Sequence, residues 1–198
     1  MSDDDYSSFL EVRSFHEKRF KAFREIDAAK QLLRYLSLTP EKLFHEIFGK
    51  STAPDLAAEF HGDRWIAIEV YEIFNPDRRK AIEHNHRIQS TPPQNSKPRK
   101  VPRSEVSVPN YQIWTIASFV EAVDKALAVK EEKLFPVRSS GKFEKVILNL
   151  YTEEATLSPE LVESSIEHLS CKAINIDECY VQFGMTASEE DDPFVRLF

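Results

Sequence analysis

The segment Lys145–Tyr151 constrains the fold more than any other part of the chain. Its side chains are almost continuously apolar after Lys145, so the usual alternation between an apolar and a polar face is missing. Such a run is typical of a strand that is covered on both faces. We therefore expect a sheet that carries a layer of helices on each side.

The segments before this strand predict helices and a hairpin. Apolar residues at helical spacing predict one long or once-broken amphipathic helix over Ser8–Leu36. Residues 39–41 resemble an N-cap followed by proline, which indicates a short helix that ends at Gly49. Two strands, Leu56–Phe60 and Trp65–Phe74, are expected to pair through a turn at residues 61–63.

The remaining segments predict helices that alternate with strands. Helical character is expected for Asp77–Ser90, for a long segment from Ile113 to Lys130, and for Thr156–Leu169, which begins near Ser158. A last strand is expected over Ala173–Phe183. Antiparallel strands early and a strand, helix, strand unit later predict an α/β (α+β) fold with a mixed central sheet flanked by helices.

The length and composition bound the domain organisation and several function classes. A chain of 198 residues can build one substantial core. We expect a helical segment over residues 1–40, an α/β core over 41–187 with a basic loop at about 89–110, and an acidic tail over 188–198. Charges interrupt every apolar stretch well before the roughly 20 residues that a membrane span needs, so no membrane contact is expected.

Two kinds of residue are scarce. Two cysteines are too few for a disulfide framework and favour a reducing, cytoplasmic location. Four glycines leave no GxGxxG motif and no Walker A loop, which excludes the commonest phosphate cradles built from glycine.

The charge is unevenly distributed. The whole chain has a formal net charge of -7, but the segment Asp77–Arg103 is strongly basic. Its basic residues are Arg78, Arg79, Lys80, Arg87, Lys97, Arg99, Lys100 and Arg103, against two acidic ones, so the segment carries +6 and the rest carries -13. Such a distribution is expected of a protein that meets a polyanion with one surface. A solvated polar loop is the alternative interpretation.

Asp55 and Glu69 are the residues that point to chemistry. Glu69 is the one charged group within Ile66–Val70, and a carboxylate in so apolar a strand needs a partner. If the two predicted strands pair, Asp55 at the head of the first can converge with Glu69 on one cation. Mg²⁺ prefers such oxygen ligands, completed by waters and a substrate phosphate. The alternative for Asp55 is an ordinary turn residue after proline.

These residues carry a resemblance to a known family. Pro54-Asp55, separated by thirteen residues from Glu69 of the run Ile68-Glu69-Val70-Tyr71, in a helix, hairpin, helix, strand order, resembles the PD-(D/E)xK superfamily of restriction-endonuclease-like nucleases. The string from Glu69 to Ile73 also resembles uncharacterised bacterial members in which a Glu-Val/Ile-Thr-Glu string replaces Glu-x-Lys. The resemblance covers about Glu41–Phe183 and implies a restriction-endonuclease-like fold.

The resemblance implies catalytic roles for Asp55, Glu69, Tyr71 and Lys80. Asp55 and Glu69 match the family's metal ligands, but the family expects at position 71 a lysine that orients the attacking water and stabilises charge on the phosphate. Tyr71 offers one hydrogen-bond donor and cannot carry the positive charge of a lysine. Either a displaced cation, with Lys80 or Arg79 as candidates, takes the lysine's place, or hydrolysis has been lost.

Two function hypotheses follow. The first is a Mg²⁺-dependent nuclease that hydrolyses DNA phosphodiesters, with DNA held by the basic residues between Arg78 and Arg103. The alternative is a catalytically inactive nuclease-like fold that acts as a nucleic-acid-binding or protein-interaction module. DNA is the expected partner in the first case, and a homodimer is left open in both.

Overall fold

A mixed sheet of six strands forms the centre of the protein. The computed structural model describes residues 21–45, 53–76, 113–154, 156–170, 173–184 and 194–198. The strands lie side by side in chain order: β1 (Lys42–His45), β2 (Leu56–Phe60), β3 (Arg64–Glu72), β4 (Lys145–Thr152), β5 (Glu178–Phe183) and β6 (Phe194–Arg196). Strands β3, β4 and β5 are mutually parallel, and every other neighbouring pair is antiparallel. The mixed α/β architecture expected from the sequence is confirmed.

Helices of the described residues cover both faces of this sheet. Helix α1 comprises residues 21–35. Helix α2 (Ile116–Ser139) lies in the connection from β3 to β4, and α3 (Pro159–Ser165), continued by the 3₁₀ turn Ile166–His168, lies in the connection from β4 to β5. Parallel neighbours require crossovers of this kind, because a hairpin can join only antiparallel strands.

The sheet separates two hydrophobic clusters. On one face, α1 packs Ala29 and Leu32 onto a cluster that contains Leu56, Ile68 and Ile147. On the other face, α2 and α3 pack onto alternate residues of the same strands, including Ala67, Leu148 and Val181. Central strand β4 is buried on both sides, as its apolar run predicts: Ile147 faces α1 and Leu148 faces α2, and both are fully buried.

The hairpin of β2 and β3 has the expected form. Phe60 pairs with Arg64 across a turn at residues 61–63, and Gly62 and Asp63 adopt left-handed backbone conformations with φ of 78° and 59°. Residues with small or polar side chains tolerate this conformation best. Strand β2 has the predicted bounds, whereas β3 begins one residue earlier than predicted, at Arg64, and stops two residues earlier, at Glu72.

The short helix predicted after residues 39–41 is wrong where it can be compared, because residues 42–45 form β1. The N–H of Glu41 donates to the carbonyl of Glu59, and Lys42 forms an ion pair with Glu59. Phe44 packs against Trp65 with ring centroids 5.6 Å apart. Pairing with β2 outweighs the helix-start signal, since propensity is weaker than tertiary contacts. Residues 46–52 lie outside the described residues.

The C-terminal predictions also need correction. The last predicted strand, Ala173–Phe183, is strand only from Glu178, because the backbone N–H groups of Ile174 and Asn175 donate to Glu131 of α2 instead of to a neighbouring strand. The predicted acidic tail includes residues 194–196, which instead form β6 with Phe194 and Val195 buried. Burial of these side chains favours pairing with β5 over exposure to water.

The long N-terminal helix is not seen in the described residues, where α1 covers residues 21–35. Two residues after its end, Ser37 has a left-handed φ of 54°, and the N–H of Leu38 donates to the carbonyl of Leu33. This is the bonding pattern of a Schellman cap. The predicted start at Ser8 lies outside the described residues, as does the helix predicted over Asp77–Ser90.

Candidate active site

The two carboxylates singled out in the sequence lie side by side. The register of β2 against β3 pairs Leu56 with Ile68, which brings Asp55, just before β2, next to Glu69. The N–H of Asp55 donates to Glu69 Oε2 at 3.1 Å, and the N–H of Val70 donates to Asp55 Oδ2 at 3.1 Å. The predicted convergence of Asp55 and Glu69 is therefore present, and the two backbone bonds fix both carboxylates.

Two lysines of α2 complete the site. Lys133 Nζ lies 3.0 Å from Asp55 Oδ1 and 2.5 Å from Glu69 Oε1. Lys130 Nζ, one helical turn earlier, lies 2.5 Å from the same Glu69 oxygen. Asp55, Glu69, Lys130 and Lys133 are called the charged cluster below. The cluster is formally neutral when all four groups are ionised.

The four residues of the charged cluster differ in how much of each is exposed to solvent. Glu69 is fully buried and Lys130 is 8% exposed, in the layer between β3 and α2. The side chains of Asp55 and Lys133 are 16% and 27% exposed. A small ion or a phosphate oxygen can therefore approach from the side of Asp55 and Lys133, while Glu69 and Lys130 form the floor.

The electrostatics differ between the two carboxylates. Burial and the charge of Asp55 raise the pKa of Glu69, and the two lysines offset this only in part. Burial also acts to raise the pKa of Asp55, but Lys133 and Lys130 outweigh it, so the pKa of Asp55 is lowered. As the pH falls, Glu69 is therefore the first of the pair to take up a proton.

Lys133 is held in its charged form. Burial acts to lower the pKa of Lys133, but the carboxylates of Glu69 and Asp55 outweigh burial and raise it. A lysine that stays protonated can place a positive charge beside a phosphate. This is the chemical contribution that Tyr71 cannot make.

Tyr71 lies on the same side of the sheet. It packs against the hydrophobic cluster beneath α2, and Lys130 Nζ lies 4.9 Å from the centroid of its ring. The position at which the resemblance expects a lysine is thus occupied by an aromatic ring that contacts a lysine from another element.

The carboxylate pair fits a single oxygen-coordinated cation. One ammonium group, that of Lys133, already lies within 3.0 Å of both Asp55 Oδ1 and Glu69 Oε1. A cation can therefore be shared by these two oxygens, and Mg²⁺ commonly uses one or two carboxylates together with waters and phosphate oxygens. Within the described ranges, no group of three or more His, Cys, Asp or Glu side chains could hold a metal ion.

The sequence analysis missed Lys130 and Lys133 as members of the site. The signal was present, because Lys130 lies in the apolar stripe of α2 between Leu127 and Leu134, both fully buried. A lysine at such a position needs an anionic partner for the same reason that Glu69 needs a cationic one. Lys130 and Glu69 are 61 residues apart in the chain, so sequence spacing alone could not pair them.

The remaining predicted site residues lie elsewhere. Arg78, Arg79, Lys80, Arg87, Lys97, Arg99, Lys100 and Arg103 lie in residues 77–112, outside the described residues. Their roles stay predictions, including that of Lys80 as the displaced cation. Glu72 points away from Glu69 and pairs with Arg24 of α1, with 3.3 Å between its Oε2 and the guanidinium.

Comparison with known proteins gives no assignment. A scan against protein-family models, a search of the curated proteins and a search of the solved structures each find no match to this chain. Within the part of the chain that the structure describes, no helix is both long enough and apolar enough to cross a membrane. The geometry of the charged cluster is therefore the basis for a functional proposal.

Proposed function

We propose that the protein is a Mg²⁺-dependent nuclease that hydrolyses DNA phosphodiesters, with Asp55 and Glu69 as the metal ligands. One observation carries the proposal: two carboxylates fixed by the backbone and two ammonium groups meet at a single, partly accessible point. Carboxylates hold the metal ion of such a site, and positive charges beside it stabilise the phosphate.

The resemblance to PD-(D/E)xK nucleases supports this proposal. Pro54-Asp55 and Glu69 match the family's motif, and in the described residues the hairpin of β2 and β3 is followed by helix α2 and strand β4, as in the later part of the order on which the resemblance is based. Under this proposal the fold is restriction-endonuclease-like. Lys130 and Lys133 supply the positive charge that position 71 lacks, and Lys133 is the better placed for substrate because it is more exposed.

Under this proposal, the metal ion, the backbone of Val70, Lys133 and the basic residues each have a separate role. When bound, Mg²⁺ polarises the phosphate and lowers the pKa of a water. The N–H of Val70 keeps the Asp55 carboxylate turned towards the shared cation position. With Mg²⁺ at that position, the Lys133 ammonium would lie beside the metal ion instead of between the two carboxylates, where it would neutralise charge that develops on the phosphate. The basic residues between Arg78 and Arg103 would bind the DNA backbone, with an affinity that falls as salt rises.

Cleavage of plasmid and single-stranded DNA in Mg²⁺ or Mn²⁺ tests the proposal. We expect the wild-type protein to cleave, and Asp55→Asn and Glu69→Gln each to lose about 100-fold or more in rate, as when one preorganised charge is removed from a site. Glu59→Gln is the matched control, because Glu59 is a carboxylate of the same hairpin that pairs with Lys42. Thermal melting of each variant shows whether it is folded.

The inactive alternative has its own supporting observation. The charged cluster is already neutral, because the ammonium groups of Lys130 and Lys133 balance the two carboxylates. A catalytically inactive nucleic-acid-binding or protein-interaction module would need no metal ion in this cluster. Wild-type protein that binds DNA in a salt-dependent manner but never cleaves it would reject the nuclease and favour this alternative. Equal cleavage by wild type, Asp55→Asn and Glu69→Gln would reject the assigned ligands.

A further inference from the structure

The ring of Tyr71 is one wall of the site that holds Lys130. Lys130 Nζ contacts Glu69 Oε1 at 2.5 Å and lies 4.9 Å from the Tyr71 ring centroid. An ammonium within about 6 Å of an aromatic centroid is attracted by the ring, more strongly where water is excluded. At 8% exposure, Lys130 is in such a place.

The position of Tyr71 in the strand explains why the two side chains meet. Glu69 and Tyr71 are two residues apart on β3, so both side chains point to the face that α2 covers. The Lys130 ammonium comes from α2, contacts Glu69 and lies over the Tyr71 ring. A lysine at position 71 would start from the same face of β3 as Glu69.

The two lysines differ in how they are held. Lys130 is buried between a carboxylate and a ring, whereas the more exposed Lys133 bridges Asp55 and Glu69 at the accessible side. Four rotatable bonds give a lysine side chain many conformations, so a buried ammonium needs contacts on several sides to keep one position. The Tyr71 ring supplies one of these contacts.

We propose that Tyr71 is a positioning residue that holds the Lys130 ammonium against Glu69, so that a lysine from a helix replaces the strand lysine of a PD-(D/E)xK site. The role in catalysis rests on the proposed nuclease function. The contact between ring and ammonium does not, and the two can therefore be tested separately. The aromatic ring performs this role, and the hydroxyl is not required for it.

Lysine-selective NMR tests the contact whether or not the protein cleaves DNA. The Hε and Cε signals of Lys130, assigned with Lys130→Arg, are expected to carry a ring-current shift in wild type and in Tyr71→Phe and to lose it in Tyr71→Leu. Tyr151→Leu is the control, because Tyr151 is a half-buried tyrosine associated with the cluster on the other face of the sheet. Lys130 signals that are the same in Tyr71→Leu as in wild type would overturn the proposal.

Cleavage rates test the role in catalysis. Tyr71→Phe should cleave like wild type, and Tyr71→Leu should be slower by about 2- to 30-fold, the range that a cation–π contact supports. Lys130→Met should lose more, and adding Tyr71→Lys to it should restore activity. Equal rates for Tyr71→Phe and Tyr71→Leu, or no recovery in a folded double variant, would overturn the catalytic role. Wild-type protein without activity would reject the nuclease and, with it, this role, while the NMR shift would still decide the contact.

Discussion

The six-stranded sheet buries polar side chains on both faces, and the two groups differ in charge. The charged cluster lies under α2. On the opposite face, under α1, lies an amide cluster of Gln31, Asn149 and Gln182. Asn149 Nδ2 donates to Gln182 Oε1 at 2.6 Å, and Gln182 Nε2 donates to Gln31 Oε1 at 2.9 Å. Asn149 and Gln182 are as deeply buried as Glu69.

The two clusters differ in how much free energy their burial costs. Neutral amides that bond to one another lose little on burial and fix the packing of α1 on the sheet. Buried ions lose much of their hydration, and an apolar pair of similar size is often at least as stable. The amide cluster is held by hydrogen bonds between its own members, although Asn149 Oδ1 is buried without a hydrogen-bond partner in the described residues. Under the proposed function, the charged cluster is retained because it binds a cation and a phosphate.

The largest expected effect is that of Glu69→Leu. This change leaves the Lys130 ammonium buried without its carboxylate, which should cost about 3 to 5 kcal/mol in the free energy of unfolding. The double variant Glu69→Leu/Lys130→Met should recover most of the loss, because it removes the pair together. Urea denaturation measures both. A double variant as unstable as the single one would show that the two charges are not coupled.

A smaller effect is expected from Gln182→Leu in the amide cluster. Asn149 Nδ2 would then keep only a 3.5 Å contact to the carbonyl of Ala28, and the loss should be about 1 to 3 kcal/mol, as for one unsatisfied buried polar group. Denaturation under the same conditions allows direct comparison with Glu69→Leu. A larger loss for Gln182→Leu than for Glu69→Leu would reverse the distinction between the clusters.

The smallest effect is a difference in pH dependence. The pKa of Asp55 is lowered in the folded protein from its ordinary value of 3.8, because Lys133 and Lys130 outweigh burial. The ionised form of Asp55 therefore stabilises the fold above pH 3.8. This contribution is lost as the pH falls through the pKa of Asp55 in the folded protein. The stability advantage of wild type over Asp55→Asn should shrink on acidification in that range.

The amide cluster supplies the control for this pH dependence. The stability difference between wild type and Gln182→Leu should not change over the same range, since neither Gln182 nor its partner Asn149 titrates. Chemical denaturation at a series of acidic pH values measures both differences. An advantage over Asp55→Asn that grows as the pH falls below 3.8 would contradict a lowered pKa of Asp55.

Much of the fold could be predicted because its signals are local. The apolar run of β4, the hairpin of β2 and β3, and the stripe of α2 each depend on neighbouring residues, and all three are observed. Strands β1 and β6 were missed because four and three residues carry too little pattern. They are strands because β2 and β5 offer an edge to pair with.

The site was predictable only in part for a similar reason. Asp55 and Glu69 lie on one hairpin, so alternation and pairing bring them together from the sequence alone. Lys130 and Lys133 come from a helix whose placement over β3 depends on the whole sheet. The predicted replacements for the missing lysine, Arg79 and Lys80, lie close to Tyr71 in the chain. No sequence pattern indicates that the cation comes from a helix more than fifty residues away.

Binding of Mn²⁺ tests the central claim, that the charged cluster is a cation site. Electron paramagnetic resonance at millimolar Mn²⁺ counts the bound ions by the loss of the free-ion signal. We expect about one Mn²⁺ per wild-type chain and for Glu59→Gln, and none for Asp55→Asn or Glu69→Gln, because Mg²⁺-type sites depend on their one or two carboxylates. The absence of Mn²⁺ binding by wild type, or equal binding by all four proteins, would show that Asp55 and Glu69 do not form a cation site.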